Sequence, residues 1–399
     1  MARELNSSEI PDDWSYGLLD NYAERCSGHT PSKSFPEYWD GGIKWISLAD
    51  SFRLDKGLVK ETDKEISKLG TENSSAQVHP AGTVVLSRDA GIGKSGVMAE
   101  PMAVSQHFIA WKCDINNKIH NWFLYNWLQI NKHEFERQAV GSTIKTIGLP
   151  YFKKLKIALP PYEEQRKIAK ILSTWDKAIA TTEKLIETSK QQKKALMQQL
   201  LTGKKRLVNP ETGKAFEGEW EEVKLAKLCK IGTGKKDANE GSIDGIYPFF
   251  TCAKQPISSE SYSYDFEALL IAGNGDIGTT HHYKGKFEAY QRTYILSEFK
   301  SISVAYLHQW INLCLKRDID REKQHGAMPY IKVGMLQNFK VNLGSYAEQK
   351  KIASVLTVAD KEVELLEAKL AHFKQERKAL MQQLLTGKRR VKVDGAEIV

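Results

Sequence analysis

Several groups of residues have types and spacings that catalysis or metal binding could use, and each lacks a necessary part. The segment AGIGKSG at 90–96 supplies glycines, Lys94 and Ser95 in the manner of a phosphate-cradling loop. Such a loop needs a glycine where Arg88 stands, and a helix N-terminus behind it to aim backbone N–H groups at the phosphate. GVMAEP begins no obvious helix, so we read a turn between two strands. His281 and His282 are adjacent and would face opposite ways on a strand, which suits a surface pair better than metal ligands. Asp89, Asp114, Asp265 and Asp276 are possible nuclease carboxylates, but no second acid and lysine join them at the right spacing. No HExxH metal motif and no nucleophile elbow occur. The five cysteines are scattered without a CxxC. A zinc knuckle or disulfide framework is therefore not expected, and a reducing cytosol is.

LPPY at 159–162 resembles the NPPY or DPPY signature of amino-methylating DNA methyltransferases. Leu159 cannot accept the hydrogen bond that the Asn or Asp of that signature accepts. We read Pro160 and Pro161 as the stop between a strand and a helix. No Gly-rich dinucleotide loop follows a strand. What remains is binding. Lys and Arg neutralise phosphate, and Arg, Lys, Asn and Gln read base edges. Candidates in the first half are Lys33, Lys44, Trp45, Ser47, Arg88, Lys94, Ser142, Thr143 and Lys145. In the second half they are Lys235, Lys236, Thr251, Lys254, Asn274, His281, Tyr283, Lys284, Arg292, Tyr330 and Lys332. Any one of them suits a solvated surface as well as a DNA contact, and Trp45 suits a core better than a base stack. The set carries more weight than its members.

The elements that must hold these residues repeat. ALMQQLLTGK occurs at 195–204 and again at 379–388, an offset of 184. Upstream, YEEQRKIAKILSTWDK from Tyr162 matches YAEQKKIASVLTVADK from Tyr346 at about half of its positions. Both copies are rich in helix formers. Leu172, Ile179, Ile186 and Leu200 fall on one heptad line that Lys193 interrupts, with Trp175 and Leu196 on the same seam. Leu356, Val363, Leu370 and Leu384 repeat the line, which Arg377 interrupts, beside Leu366, Phe373 and Leu380. Such a seam needs a partner helix, and we favour the other copy over a second chain. Gly203 and Gly387 stand where a C-cap glycine belongs. Weaker repeats link Gly93 with Gly278 and Gln106 with Gln291 at an offset of 185, while Trp14 and Trp220 lie 206 apart. The first half therefore holds about 21 extra residues, expected in the polar stretch 51–78, where a loop insertion costs little.

The chain has 399 residues, 41% hydrophobic and 27% charged, which excludes a wholly disordered protein. Its net charge of +9 favours a polyanionic partner. No apolar run is long enough to span a membrane, and the start, MARELNSSEIPDDW, has no apolar export segment. We expect two α/β modules, each followed by a long helix: 1–160, 161–204, 205–344 and 345–399. An enzyme with unrecognised methyltransferase or nuclease motifs, and a coiled-coil adaptor with no DNA role, are the competing readings.

Two variable modules, each closed by a near-identical helix, resemble the specificity (S) subunit of type I restriction-modification enzymes. The resemblance rests on GGIKWISLAD at 41–50, the turns with Gln106 and Gln291, the EQ(R/K)KIA helix starts and the duplicated helix ends. It implies an α+β chain of two globular target recognition domains joined by two long antiparallel coiled-coil helices, a pseudo-two-fold internal repeat. Each domain would read one half of a bipartite, interrupted DNA sequence, and the helices would set the gap. Two methyltransferase (M) subunits would dock on the helices and methylate adenine N6 with S-adenosylmethionine. Two restriction (R) subunits would add restriction that uses ATP and Mg. The chain itself would hold no cofactor, catalyse nothing and work in the cytoplasm.

Overall fold

The computed structural model describes residues 10–141, 145–323 and 330–392. They form two compact units, one of Met1–Thr181 with Leu370–Val399 and one of Thr182–Lys369. The division runs through both long helices, so each unit holds one module and a stretch of each helix.

In unit 1, β1 (Ser15–Leu18), β2 (Glu24–Ser27) and β3 (Trp39–Ile46) are followed by the short elements β4 (Leu58–Val59), β5 (Lys64–Ile66), α1 (Lys68–Glu72) and β6 (Val78–His79). Then come β7 (Val84–Ser87), β8 (Ser95–Met98), β9 (Met102–Val104) and β10 (Phe108–Lys112). α2 (Asn121–Ile130), α3 (Lys132–Gln138), α4 (Leu149–Lys153) and β11 (Lys156–Leu159) lead into the long helix α5 (Tyr162–Leu200). The strands order as β2-β10-β7-β8-β4 and β5-β3-β9-β6, with β1 paired to β11.

Unit 2 opens with β12 (Glu221–Lys224), α6 (Leu225–Leu228) and β13 (Lys230–Thr233). β14 (Tyr247–Phe250), β15 (Ile257–Ser259), β16 (Tyr264–Ala272), β17 (Thr280–Ala289) and β18 (Thr293–Ser297) follow. α7 (Val304–Lys323), α8 (Val333–Asn338), β19 (Lys340–Leu343) and the long helix α9 (Tyr346–Leu384) complete the order. Here the sheet is single, β13-β18-β16-β17-β14-β15, with β12 paired to β19. The ladders correspond between units: β3 runs parallel to β9 as β14 runs parallel to the end of β17. Unit 1 splits its sheet because β8 and β9 are separated by Ala99–Pro101, where β17 is continuous. Pro101 has no N–H to give a ladder. β5 on β3 matches β15 on β14, and the additional elements of unit 1, β4, α1 and β6, lie between β3 and β7, the interval of the expected insertion.

Each module core closes on the helices. In unit 1, Ile168 and Leu172 of α5 and Met381 and Leu384 of α9 join Trp111, Phe123 and Phe152 in one buried cluster. In unit 2, Met197 and Leu200 of α5 and Ile352 and Leu356 of α9 join Tyr306, Trp310 and Ile311. Burying a leucine of this kind stabilises by about 1.5–3 kcal/mol. The seam residues Trp175, Ile179, Ile186, Leu196, Val363, Leu370, Phe373 and Leu380 are all buried or half-buried. The two helices run antiparallel within each unit: in unit 1 Lys167 meets Lys392 O while Trp175 meets Phe373 at 5.5 Å, and in unit 2 Lys190 meets Glu367 while Lys193 meets Asp360.

The interruptions of the seam have partners. Arg377 pairs with Asp176 in unit 1 and Lys193 with Asp360 in unit 2. Asn126 of α2 accepts from Arg377 at 3.3 Å, and Gln309 of α7 donates to Asp360 at 2.7 Å. A polar pair inside an apolar seam fixes register at some cost in stability.

The helix starts explain the repeated EQ. Gln165, 1% exposed, accepts from the His120 N–H at 2.8 Å and donates to Pro160 O at 2.9 Å. Gln349 accepts from the Ser303 N–H at 3.0 Å and donates to Gly344 O at 3.0 Å. Each glutamine thereby ties its helix to the start of α2 or α7. Glu164 takes Arg390, which also grips Asp13, and Glu348 takes Arg206 at 2.6 and 2.9 Å together with the Trp220 N–H at 3.0 Å. The arginines follow the glycine caps Gly203 and Gly387, whose φ angles of +70° and +74° suit a residue without Cβ.

Candidate nucleic-acid interface

Four backbone segments meet at one end of the unit 1 sheet. They are the loop after β2, the β7–β8 turn, the β9–β10 turn and the segment before α4. The Arg88 N–H donates to His107 O at 3.0 Å, the Ile147 N–H to Arg88 O at 2.9 Å, and the His29 N–H to Val104 O at 3.0 Å. Unit 2 repeats this frame. The Gly273 N–H donates to Arg292 O at 2.9 Å, the Ile331 N–H to Gly273 O at 2.8 Å, and the Gln291 N–H to Lys236 O at 2.9 Å. The loops after β2 and β13 can come this close to β9 and β17 because each has a glycine there. A Cβ on Gly28 would sit 2.1 Å from Val104 O, and one on Gly234 would sit 2.1 Å from Ala289 O.

AGIGKSG forms the β7–β8 turn. Gly91 and Gly93 both have φ of +78°, and a strand follows, not a helix. Gly278, at the equivalent turn of unit 2, has φ of +80°.

In unit 1 the frame gathers Arg88, Lys94 and Lys145. Arg88 lies 3.7 Å from Asp89, Lys94 donates to Ser51 O at 3.2 Å, and Lys145 is exposed. Lys33 is exposed on the loop after β2, which Thr30 links to Gln106. Three expected contacts are instead committed to the module's own packing. Lys44 pairs with Glu100 at 2.8 Å and Glu61 at 3.4 Å. The Trp45 ring is 5% exposed, and its N–H donates to His29 O. Ser47 forms a capping box with Asp50. Ser142 and Thr143 lie outside the described residues.

In unit 2, Lys235, Lys254, Arg292, Tyr330 and Lys332 are exposed around the frame, and Asn274 is half-buried in it. The Lys254 N–H donates to Asp276, and the Lys332 ammonium sits over the Tyr330 ring. Lys236 donates to Ser261 at 2.7 Å and lies 3.6 Å from the fully buried Glu288. Thr251 is half-buried beside the same turn. His281 and Tyr283 pack on Phe250, each with ring centroids 5.3 Å away, and burial pushes the His281 imidazole below its ordinary pKa. His282 faces the other way and meets Glu267 at 2.8 Å. Lys284 is exposed farther along β17, opposite Glu267.

The sequence alone does not mark His107 and Thr146, and it offers Asp89 only as a possible nuclease carboxylate. His107 Nδ1 bonds Asp89, which is 9% exposed and also accepts from Thr146. The repeat offset was the available signal, since it sets Asp89 opposite Asn274 and His107 opposite Arg292. Among the described residues, no cluster of His, Cys, Asp and Glu could hold a metal ion, and no helix is long and apolar enough to cross a membrane. The arrangement offers two sets of polar, cationic loop ends on rigid strands.

A family model described as the type I restriction modification DNA specificity domain matches twice, at residues 11–191 and 217–375. The EcoDI specificity subunit of Escherichia coli is 38% identical over 171 residues, which cover 42% of this chain and 37% of that protein. The MjaVIII specificity subunit of Methanocaldococcus jannaschii is 27% identical over an alignment of 428 residues, covering 98% of this chain and 96% of that one. Among solved structures, a type I restriction-modification S subunit from M. genitalium has a TM-score of 0.65 at 17% identity and covers 96% of this chain and 98% of its own. A chain from a structure of type I system assembly has a TM-score of 0.56 at 18% identity, covering 95% and 99%.

Proposed function

The chain belongs to the type I restriction-modification DNA specificity family, and we propose that it is the DNA-recognition subunit of such a complex. Each unit reads one half of a bipartite, interrupted target through its converging loop ends. The two long helices set the unspecified gap and dock two M subunits, which methylate adenine N6 with S-adenosylmethionine. Two R subunits add restriction that uses ATP and Mg. The chain supplies address and not catalysis, holds no cofactor of its own, and acts in the cytoplasm.

One observation supports this reading above the rest. The same four backbone segments converge in each unit, two of their ties made by equivalent hydrogen bonds, yet they carry different side chains. A repeated frame with unlike loop ends suits two half-sites of unlike sequence. Backbone contacts would position each module on the duplex, and base-edge contacts would specify.

The test is binding of duplex DNA by the purified chain, alone and with M subunits, across a salt series. A protein that neutralises roughly six to ten phosphates loses about 10³–10⁵ in affinity between 50 and 200 mM salt. We expect such a slope and tighter binding with M subunits. Negligible DNA affinity in both samples would leave the adaptor reading. Methylation or cleavage of DNA by the chain alone would show an enzyme.

A further inference from the structure

The repeat frame allows residues of the two units to be compared by place, and one pair has been exchanged as a set. Unit 1 has Asp89 in the β7–β8 turn and His107 in the β9–β10 turn. Unit 2 has Asn274 and Arg292 at the same offset of 185. The backbone confirms the equivalence, because the His107 and Arg292 carbonyls accept from Arg88 and Gly273, which occupy matching places. The exchange is chemically coherent. Asp89 accepts from His107 Nδ1 and is itself held by Thr146. An aspartate beside Arg292 would bind the guanidinium. Asn274 carries no charge, and Arg292 is exposed with no side-chain partner among the described residues.

We propose that residues 107 and 292 are one reading position used twice, with a different base for each side chain. This rests on the function proposed above and deepens it. The Arg292 fork matches the paired O6 and N7 acceptors of guanine in the major groove. In unit 1 the carboxylate of Asp89 accepts, so the imidazole proton sits on Nδ1. Nε2 has no partner among the described residues and is the ring nitrogen left to face a base. His107 therefore offers a single ring nitrogen where Arg292 offers a two-pronged fork, and reads a different base. Asp89 is a positioning residue that holds the ring in one orientation.

The test co-expresses the full chain with its M subunit in a host that lacks adenine methylation, and maps N6-methyladenine by long-read sequencing. Wild type should give a split motif with a guanine in one half. R292Q should relax that guanine alone, lowering discrimination there by roughly 5- to 150-fold, the range of one bidentate pair. The double variant D89N/H107R should convert one position of the other half to guanine. D89N alone should blur that position and leave the rest of the motif intact. An R292Q chain that assembles with M and keeps the wild-type motif overturns the inference. So does a uniform loss across all positions, which would mark a phosphate contact. R292Q alters an exposed side chain, so the test stands even where the double variant does not fold. A wild-type chain that methylates no split motif fails the underlying function instead, and the two failures are thus distinct.

Discussion

Where the helices begin, unit 1 and unit 2 use the same side chains in the same way. Gln165 and Gln349 are both buried and both tie a helix start to a neighbouring helix. Glu164 and Glu348 are 2% and 0% exposed, and each is gripped by the arginine that follows a glycine cap. At the loop ends the units part. Asp89 and His107 stand opposite Asn274 and Arg292, and the continuous β17 stands opposite a strand broken at Pro101. Buried, fully bonded groups are costly to change, because each substitution strands a partner away from water. Arg292 is exposed and His107 half-exposed, and such side chains carry less of that penalty, so two copies can keep one frame and diverge in what they read.

The largest expected effect breaks the shared part. Glu348→Ala strands the Arg206 guanidinium and the Trp220 N–H, and should cost unit 2 about 3 kcal/mol. Glu164→Ala should cost unit 1 less, because Arg390 is more exposed and keeps Asp13. Hydrogen exchange resolved by unit suits the measurement, since a chain with two units need not unfold in one step. A loss below about 1 kcal/mol in both would mean the clamps are surface pairs in effect.

The next effect separates the units by pH. His308 of α7 lies where unit 1 has Tyr125 of α2, one place before the matched Gln309 and Asn126. Burial, aided by His282, holds His308 down to about 4, while Thr280 shares a hydrogen bond with its Nε2 at 2.9 Å. Asp360 and Lys193 are the other charges acting on it. The unfolded imidazole takes a proton near its ordinary 6.5, and the folded one does not until about 4. Stability is therefore full above pH 6.5 and falls through that window as pH drops, by on the order of 3 kcal/mol. His308→Gln should flatten this part of the unit 2 profile. An unchanged slope would assign it to other groups, such as His281, which burial also depresses.

The smallest effect concerns the seam. Lys193→Leu should cost about 1 kcal/mol, since the pair is partly exposed and Gln309 still bonds Asp360. Arg377→Leu should cost unit 1 somewhat more, because Arg377 serves Asp176 and Asn126 together. Equal losses measured by denaturant titration would remove that asymmetry.

Much of the scaffold was legible because it rests on local rules. Apolar spacing marks α5 and α9, and Gly203 and Gly387 mark their ends. The length difference between the copies marks the interval that holds β4 to β6. Pro101 was equally visible, yet its effect, a sheet split in two, depends on strand partners distant in sequence. The loop-end residues were harder for the same reason. Lys44 and Lys236 read as free cations until the fold sets Glu100 and Glu288 beside them. His107 reads as one more surface histidine until Asp89 and Thr146 reach it from other segments. Ion pairs and hydrogen bonds between remote segments leave no periodic trace.

The most direct test of the central claim, two like frames reading two unlike half-sites, is the methylation map of the unaltered chain co-expressed with its M subunit. The account predicts one split motif, two short defined halves of different sequence around a fixed gap. A continuous motif, or a stable complex that methylates nothing, would contradict it.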